Sequence, residues 1–256
     1  MTLHDRDGVR EQYKDSSNFG ARVALHARFS TNPYRWTTWV FDQLALHAGD
    51  RVLEVGCGPG LLWLGKKVPD GALVVISDLS VGMVKEASSV LSFPALAADA
   101  QALAFPDESF DVVVANHMLY HVPDLDAALS EFARVLRPGG RFFATTNGQA
   151  QFQEIRAVLK TQFSYIDVFG LENGPPRIAR HFDDVTTERH DDTIEATEVE
   201  PVLAYVRSTT SFRRIRPEAE RELAEVVRSE IDRRGSFHIT KDAGVIRGTK
   251  PPIVPQ

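Results

Sequence analysis

Short apolar runs alternate along this chain with stretches whose apolar positions recur every three or four residues. The run 51–55 (RVLEV) closes on glycines and reads as a buried parallel strand. Residues 72–77 (ALVVIS), 95–98 and 110–115 (FDVVVA) give three more strands, and 141–146 (RFFATT) a fifth. Between them lie helix patterns with start signals. Ser80 is placed to cap a helix whose apolar face holds Val84, Ala87 and Leu91. Asp124 is placed to cap another carrying Ala128, Leu129, Phe132, Val135 and Leu136, which Pro138-Gly139-Gly140 stops. The alternation predicts an α/β fold, a parallel sheet with helices on both faces and right-handed connections. In such sheets ligands bind beyond the carboxyl ends of the strands.

Two regions fall outside this core. Residues 1 to about 46 pattern as helix, with aromatics at Tyr13, Phe19, Phe29, Tyr34, Trp36 and Trp39. Residues 148 to about 210 are broken by Asn173-Gly174-Pro175-Pro176, and helical patterning returns over 217–234. Residues 236–240 and 244–248 then predict a C-terminal antiparallel hairpin, and the Pro-rich end a frayed tail. The expected organisation is one domain. It has a helical lid (1–46), a ligand-binding core (47–147), a cap that shapes the substrate pocket (148–210), a final helix and hairpin (211–249) and a tail (250–256).

The strand ends carry the chemistry. Glu54-Val55-Gly56-Cys57-Gly58-Pro59-Gly60 sets three glycines at alternate positions, so the backbone can turn sharply and approach a ligand. A helix N-terminus behind such a turn favours a carboxylate or phosphate. The third glycine comes one residue earlier than in the dinucleotide pattern G-x-G-x-x-G. Asp78, at the second strand end, can accept two hydrogen bonds from a ribose diol or serve only the following helix. Asp99, with Ala100 and Gln101, can read an adenine edge or form an ordinary turn. The fourth strand runs into Asn116, His117, Tyr120 and His121. In chain order these ends outline a carboxylate site, a ribose site, an adenine site and a reaction zone.

Composition narrows the partners. With 29 basic and 35 acidic residues the net charge is -6, so nucleic acid is not an expected partner. The cluster Arg207, Arg213, Arg214 and Arg216 is the best basic patch, and it reads as a solvated helix entry. One cysteine, Cys57, excludes an intrachain disulfide. The polar N-terminus lacks a signal-peptide core, and no apolar run approaches the ~20 residues of a membrane span. The expectation is a cytoplasmic protein with a small-molecule substrate and no metal site. Nothing in the sequence speaks to oligomeric state.

These residues resemble the class I S-adenosylmethionine-dependent methyltransferases. VLEVGCGPG (52–60) is similar to that family's first motif and the acid in ISDLS (76–80) to its ribose contact. DAQALAFPDESFDVVVANHMLYHVPD (99–124) and RVLRPGGRFFATT (134–146) look like its later motifs. The likeness is strongest to the branch of ubiquinone/menaquinone-biosynthesis and natural-product methyltransferases. It implies a Rossmann-like sheet and S-adenosyl-L-methionine as cofactor, with 47–147 as the cofactor-binding core. Gly56, Cys57 and Gly58 would border the methionine moiety, with Glu54 and Asn116 near its amine. Asp78 would take the ribose, Leu79 and Met83 would pack on adenine, and Asp99, Ala100 and Gln101 would read its edge.

The implied reaction is methyl transfer to an O, N or C nucleophile of a small molecule, such as a secondary metabolite or a quinone-like acceptor. His121 is the leading candidate base, an unperturbed histidine titrating near pH 6.5, with His117 and Tyr120 behind it. Arg22, His26 and Phe29 share one helical face. With Tyr13, Asn32, Trp36 and Trp39 they would form a lid, or simply anchor the helix. Two alternatives stay open: a nicotinamide-dependent oxidoreductase, and a non-catalytic S-adenosylmethionine-binding protein.

Overall fold

A computed structural model describes residues 19–161, 164–209 and 215–252 of the chain. Two helices, α1 (Phe19–Phe29) and α2 (Trp36–Gln43), come first. The alternating half follows as β1 (Arg51–Val55), β2 (Leu73–Asp78), α3 (Val81–Val90), β3 (Ala95–Ala97), β4 (Phe110–Asn116), α4 (Leu125–Val135) and β5 (Leu136–Asn147). Then come the short helices α5 (Gln153–Leu159), α6 (Ser164–Val168) and α7 (Gly174–Ile178), followed by β6 (Asp183–His190) and β7 (Thr193–Ala196). Helices α8 (Val199–Ser208) and α9 (Pro217–Arg234) lead to β8 (Phe237–Thr240) and β9 (Ala243–Thr249).

The main sheet has the order β3-β2-β1-β4-β5-β9-β6. Its first five strands run parallel, and β9 is antiparallel to both β5 and β6. Both expected caps form. Ser80 Oγ accepts from the Met83 N–H, and the Asp124 carboxylate from the Ala127 N–H.

The C-terminal strands are antiparallel as expected, but each finds a different partner. Strand β8 pairs with β7 in a separate two-stranded sheet, while β9 enters the main sheet. The intervening Asp242 explains the split. Its carbonyl accepts from the Gly148 N–H and its carboxylate from the Ala150 N–H, which binds the chain to the end of β5 instead of folding it back on β8.

Pro138-Gly139-Gly140 ends α4 but does not interrupt β5, which begins at Leu136 and passes through it with a shift of register. Gly139 takes φ +75°, and at Gly140 a Cβ would sit 2.7 Å from the Arg137 carbonyl, so this bend accepts no larger residue. Asn173-Gly174-Pro175-Pro176 starts α7 instead of merely breaking the chain. Proline in a first helical turn has no N–H to lose, and Asn173 Nδ2 donates to the carbonyls of Ile166 and Asp167.

Both faces of the sheet are covered at β1, β4 and β5, which is why these strands read as near-continuous apolar runs, whereas β6 at the edge is polar and largely exposed. Leu53, Val113 and Phe142 pack under Leu129 and Phe132 of α4. Val52, Ile76 and Val114 pack against Val40 of α2, Trp63 and Ala87. A third core is separate from the sheet. It joins Leu25 of α1, Ile155, Ile194, Val202 and Val206 of α8, Leu223 of α9 and Ile239. No described helix is long and apolar enough to cross a membrane.

Phe132 is fully buried with its ring 5.4 Å from that of Phe142. Phe132→Ala should lower the free energy of unfolding by about 3–5 kcal/mol in a denaturant titration. A loss below about 1 kcal/mol would mean that α4 is not held by this contact.

Candidate functional site

The parallel register sets the strand ends level. Val55 lies opposite Ser77 on one side and Ala115 on the other, and Asn116 lies opposite Thr145. Beyond that rim opens a cavity of about 730 Å³. The strand ends line one side, and α1, α2, Gln151, Tyr205 and Lys241 line the other.

The turn after β1 depends on its glycines. Gly56, Gly58 and Gly60 all take positive φ, and a Cβ on Gly56 would meet the Met118 side chain at 2.7 Å. At Gly58 a Cβ would meet nothing within 4 Å, so that position leaves room on the cavity wall. Asp78 holds the turn to the next helix. Its Oδ2 accepts from the Gly58 N–H at 2.9 Å and its Oδ1 from the Ser80 N–H at 2.8 Å. Each oxygen keeps acceptor capacity, and Asp78 lines the cavity. Burial raises its pKa against the pull of both N–H groups. The Cys57 thiol also lines the cavity and is pushed far up by burial.

Glu54 is placed differently from the expectation. It lies fully buried beneath the floor and is not part of the cavity wall. Its Oε2 accepts from Trp63 Nε1 at 2.6 Å, and the Asn116 side chain is its other polar neighbour. Burial pushes this acid up to about 8.

Asp99, Ala100, Gln101, Leu79 and Met83 all line the cavity. Asp99 Oδ1 accepts from both the backbone and the side-chain N–H of Gln101. Gln101 Oε1 accepts from the Asp124 N–H, tying the third strand end to the fourth. Asn116 Oδ1 accepts from Thr145 Oγ1 at 2.6 Å. His117 adopts φ +52°, held there by donation of its N–H to the Thr145 carbonyl and hydroxyl. Its ring lies 5.2 Å from Trp36. Tyr120 and His121 also line the cavity, their rings 4.6 Å apart, with His121 closing the short turn Leu119–His121. Burial, and then the charge of Lys241, depress the two imidazoles nearest that lysine, His117 to about 4 and His26 to about 3.

The aromatic N-terminal set divides. Arg22, His26 and Trp36 line the cavity. Trp39 is buried against Trp36 and His190, Phe29 packs at the edge of the third core, and Asn32 holds the turn after α1 through its bonds to Asp191 and Asp192. Tyr13 lies outside the described residues, as do Arg213 and Arg214 of the basic cluster. Arg207 is committed to Glu200 and Glu220. Among the described residues no group of three or more His, Cys, Asp or Glu is arranged to hold a metal ion.

One feature of the wall had no signal in the sequence. Asp192 accepts from Ser30 Oγ, Thr31 Oγ1, the N–H groups of Asn32 and Thr193, and Lys241 Nζ. Lys241 and Asp192 are 49 residues apart, and neither stands in a recognisable motif. Gln151 and Tyr205 were equally silent, because only the folded chain brings them to the cavity.

Comparison with known proteins gives four findings. Residues 53–144 match the family model of a methyltransferase domain. The methyltransferase GfsG of Streptomyces halstedii is 38% identical over 116 residues, covering 42% of this chain and 41% of that protein. The demethylmenaquinone methyltransferase of Mycobacterium sp. (strain KMS) is 39% identical over 119 residues, covering 45% of this chain and 51% of that protein. The chain thus matches about half the length, or less, of these curated relatives. Among solved structures, the Haemonchus contortus phosphoethanolamine N-methyltransferase 2 complex with S-adenosyl-L-methionine aligns with a TM-score of 0.59 at 20% identity. It covers 98% of this chain and 60% of that one.

The buried acid predicts a pH dependence. Folded Glu54 keeps its proton up to about pH 8, whereas an unfolded glutamate loses it near 4.3. The folded state therefore binds the extra proton, and stability falls as pH rises between those values. Glu54→Gln should flatten that fall, by about a few kcal/mol at most, when denaturation is followed from pH 5 to 9. Identical slopes in variant and parent would mean that Glu54 is already ionised in the folded protein.

Proposed function

We propose that this chain, whose residues 53–144 match the family model of a methyltransferase domain, is a class I S-adenosylmethionine-dependent methyltransferase that moves a methyl group from that cofactor to a small-molecule acceptor in the cavity above the strand ends. The observation that carries the reading is the Asp78 carboxylate. It is fixed by two backbone N–H groups beside an open glycine turn and still has acceptor capacity toward the cavity.

The residues present fit the group. Asp78 is suited to a vicinal diol and Leu79 and Met83 to a flat apolar ring. Asp99 with the Ala100 backbone suits the ring's polar edge, and Gly56, Cys57 and Gly58 suit the amino-acid end. Asn116, which lines the cavity, faces the amino group, with Glu54 beneath it holding the Asn116 side chain. When bound, S-adenosylmethionine supplies a methyl group already activated on a sulfonium sulfur. What remains for the protein is to orient the acceptor and keep water out, a contribution of roughly 7–11 kcal/mol in well-oriented reactions.

For an acceptor that loses a proton, His121 is the proposed base. His117 is pushed down to about 4, too low for a base that works near neutral pH. Tyr120 packs on His121 and orients its ring. Arg22, His26 and Trp36 act as the inner face of a lid formed by the N-terminal helices, with 148–210 as the cap that shapes the acceptor's side. The name of the demethylmenaquinone enzyme fits a quinone-like acceptor. We place the protein in the cytoplasm, without a nucleic-acid partner.

Calorimetry with S-adenosylmethionine and, in parallel, NADH tests the assignment. The parent should bind the first and not the second. Asp78→Ala should weaken binding about a hundredfold, since two charge-assisted hydrogen bonds are lost. Near-parental affinity in that variant overturns the ribose assignment. His121→Ala should lower the rate of S-adenosylhomocysteine formation while cofactor affinity stays within about twofold of the parent. An unchanged rate removes His121 from the reaction.

A further inference from the structure

The Lys241–Asp192 pair is almost sealed, with side-chain exposures of 7% and 2%, yet Lys241 lines the cavity. The carboxylate does not need this lysine. Four neutral donors already reach it: Ser30 Oγ at 2.9 Å, Thr31 Oγ1 at 3.4 Å and the N–H groups of Asn32 and Thr193 at 2.9 and 2.8 Å. Burying an ammonium costs several kcal/mol even when it is paired, so stability alone does not account for its presence. Of its three N–H groups one goes to Asp192 and one to Ser30 Oγ, and the third has no partner among the described residues.

We propose that Lys241 anchors the methyl acceptor, its third N–H receiving an acidic hydroxyl of a phenol or enol as the oxyanion. The inference rests on the methyl-transfer reading above and names the acceptor class for the same cavity. The groups facing Lys241 favour one oxyanion over a phosphate or dicarboxylate. Asp192 cancels most of the ammonium charge, Arg35 adds a more distant cation, and His26, His117 and His190 are each held toward the neutral form. One N–H serves one oxygen. Trp36, His26 and Tyr205 supply aromatic wall for the ring that carries it.

In the reaction the hydroxyl proton leaves to solvent, so that the acceptor binds as the oxyanion. The oxyanion left on Lys241 forms the new O–CH₃ bond as the S–CH₃ bond breaks, and that bond's electron pair stays on sulfur. The neutral methyl ether then loses its charge-assisted bond to Lys241, which favours product release.

The test uses 4-nitrophenol, whose anion absorbs visible light and whose neutral form does not. The probe is titrated into the full chain saturated with S-adenosylhomocysteine, at a pH below the probe's own pKa. We expect bound probe to show the phenolate spectrum. Lys241→Met combined with Asp192→Asn leaves no orphaned buried charge. It should keep cofactor affinity within about twofold and bind the phenolate roughly ten- to a hundredfold more weakly. Lys241→Arg should restore part of the loss.

Neutral bound probe, no probe binding by a chain that holds the cofactor, or full phenolate binding by the double variant would each overturn the assignment. So would a double variant that loses cofactor affinity but keeps the phenolate, because Lys241 would then hold the cofactor's carboxylate. A parent chain that binds no S-adenosylmethionine would overturn the methyl-transfer reading itself.

Discussion

Everything at the rim depends on register. Parallel strands whose hydrogen bonds are satisfied along their whole length must end together, and here β2, β1, β4 and β5 do so. Each end then has to turn the chain while carrying polar groups that no strand partner can satisfy. After β1 the Ser77 carbonyl takes up the N–H groups of Gly56 and Cys57; elsewhere a side chain at or near the strand end takes up the nearest free backbone N–H groups. Asp78 holds those of Gly58 and Ser80, Asp99 that of Gln101, and Thr145 that of His117. The polar lining of the cavity is therefore also the scaffolding of its turns. This explains how carboxylates can stand at a half-buried rim without opposing cations.

Legibility in the sequence followed contact distance. The strand 51–55 and the caps Ser80 and Asp124 rest on neighbours within a few residues, so periodicity and cap chemistry exposed them. Long-range partners defeated the same reasoning. The fate of β8 and β9 turned on Asp242 binding the backbone near Gly148, about ninety residues away. The burial of Glu54 turned on Trp63, and the Lys241 wall on Asp192. The cavity side of the N-terminal helices was half legible. Helical spacing put Arg22 and His26 together correctly, but could not tell Trp36, at the cavity, from Trp39, which packs beneath it.

The two sides of the cavity have opposite electrostatic character. The strand-end side gathers carboxylates whose ionisation burial opposes, Glu54 and Asp78. The facing side holds His26, whose protonation burial opposes, beside one compensated lysine, and His117 at the fourth strand end is depressed in the same way. Each side is short of charge by the same mechanism, loss of water. A molecule entering between them meets donors and acceptors with little competing solvent, the condition in which weak polar contacts become selective.

The third core has an implication for biosynthesis. Its members come from opposite ends of the described chain, Leu25 on one side and Val202, Leu223 and Ile239 on the other. In the main sheet, too, β9 is inserted between β5 and β6, so the last described strand fills an interior slot. A nascent chain that has emerged only as far as β6 has an uncovered edge on β5 and only part of the surface that α1 packs on, Phe152 and Ile155. The cavity closes only once the segment carrying β8 and β9 has reached both sheets.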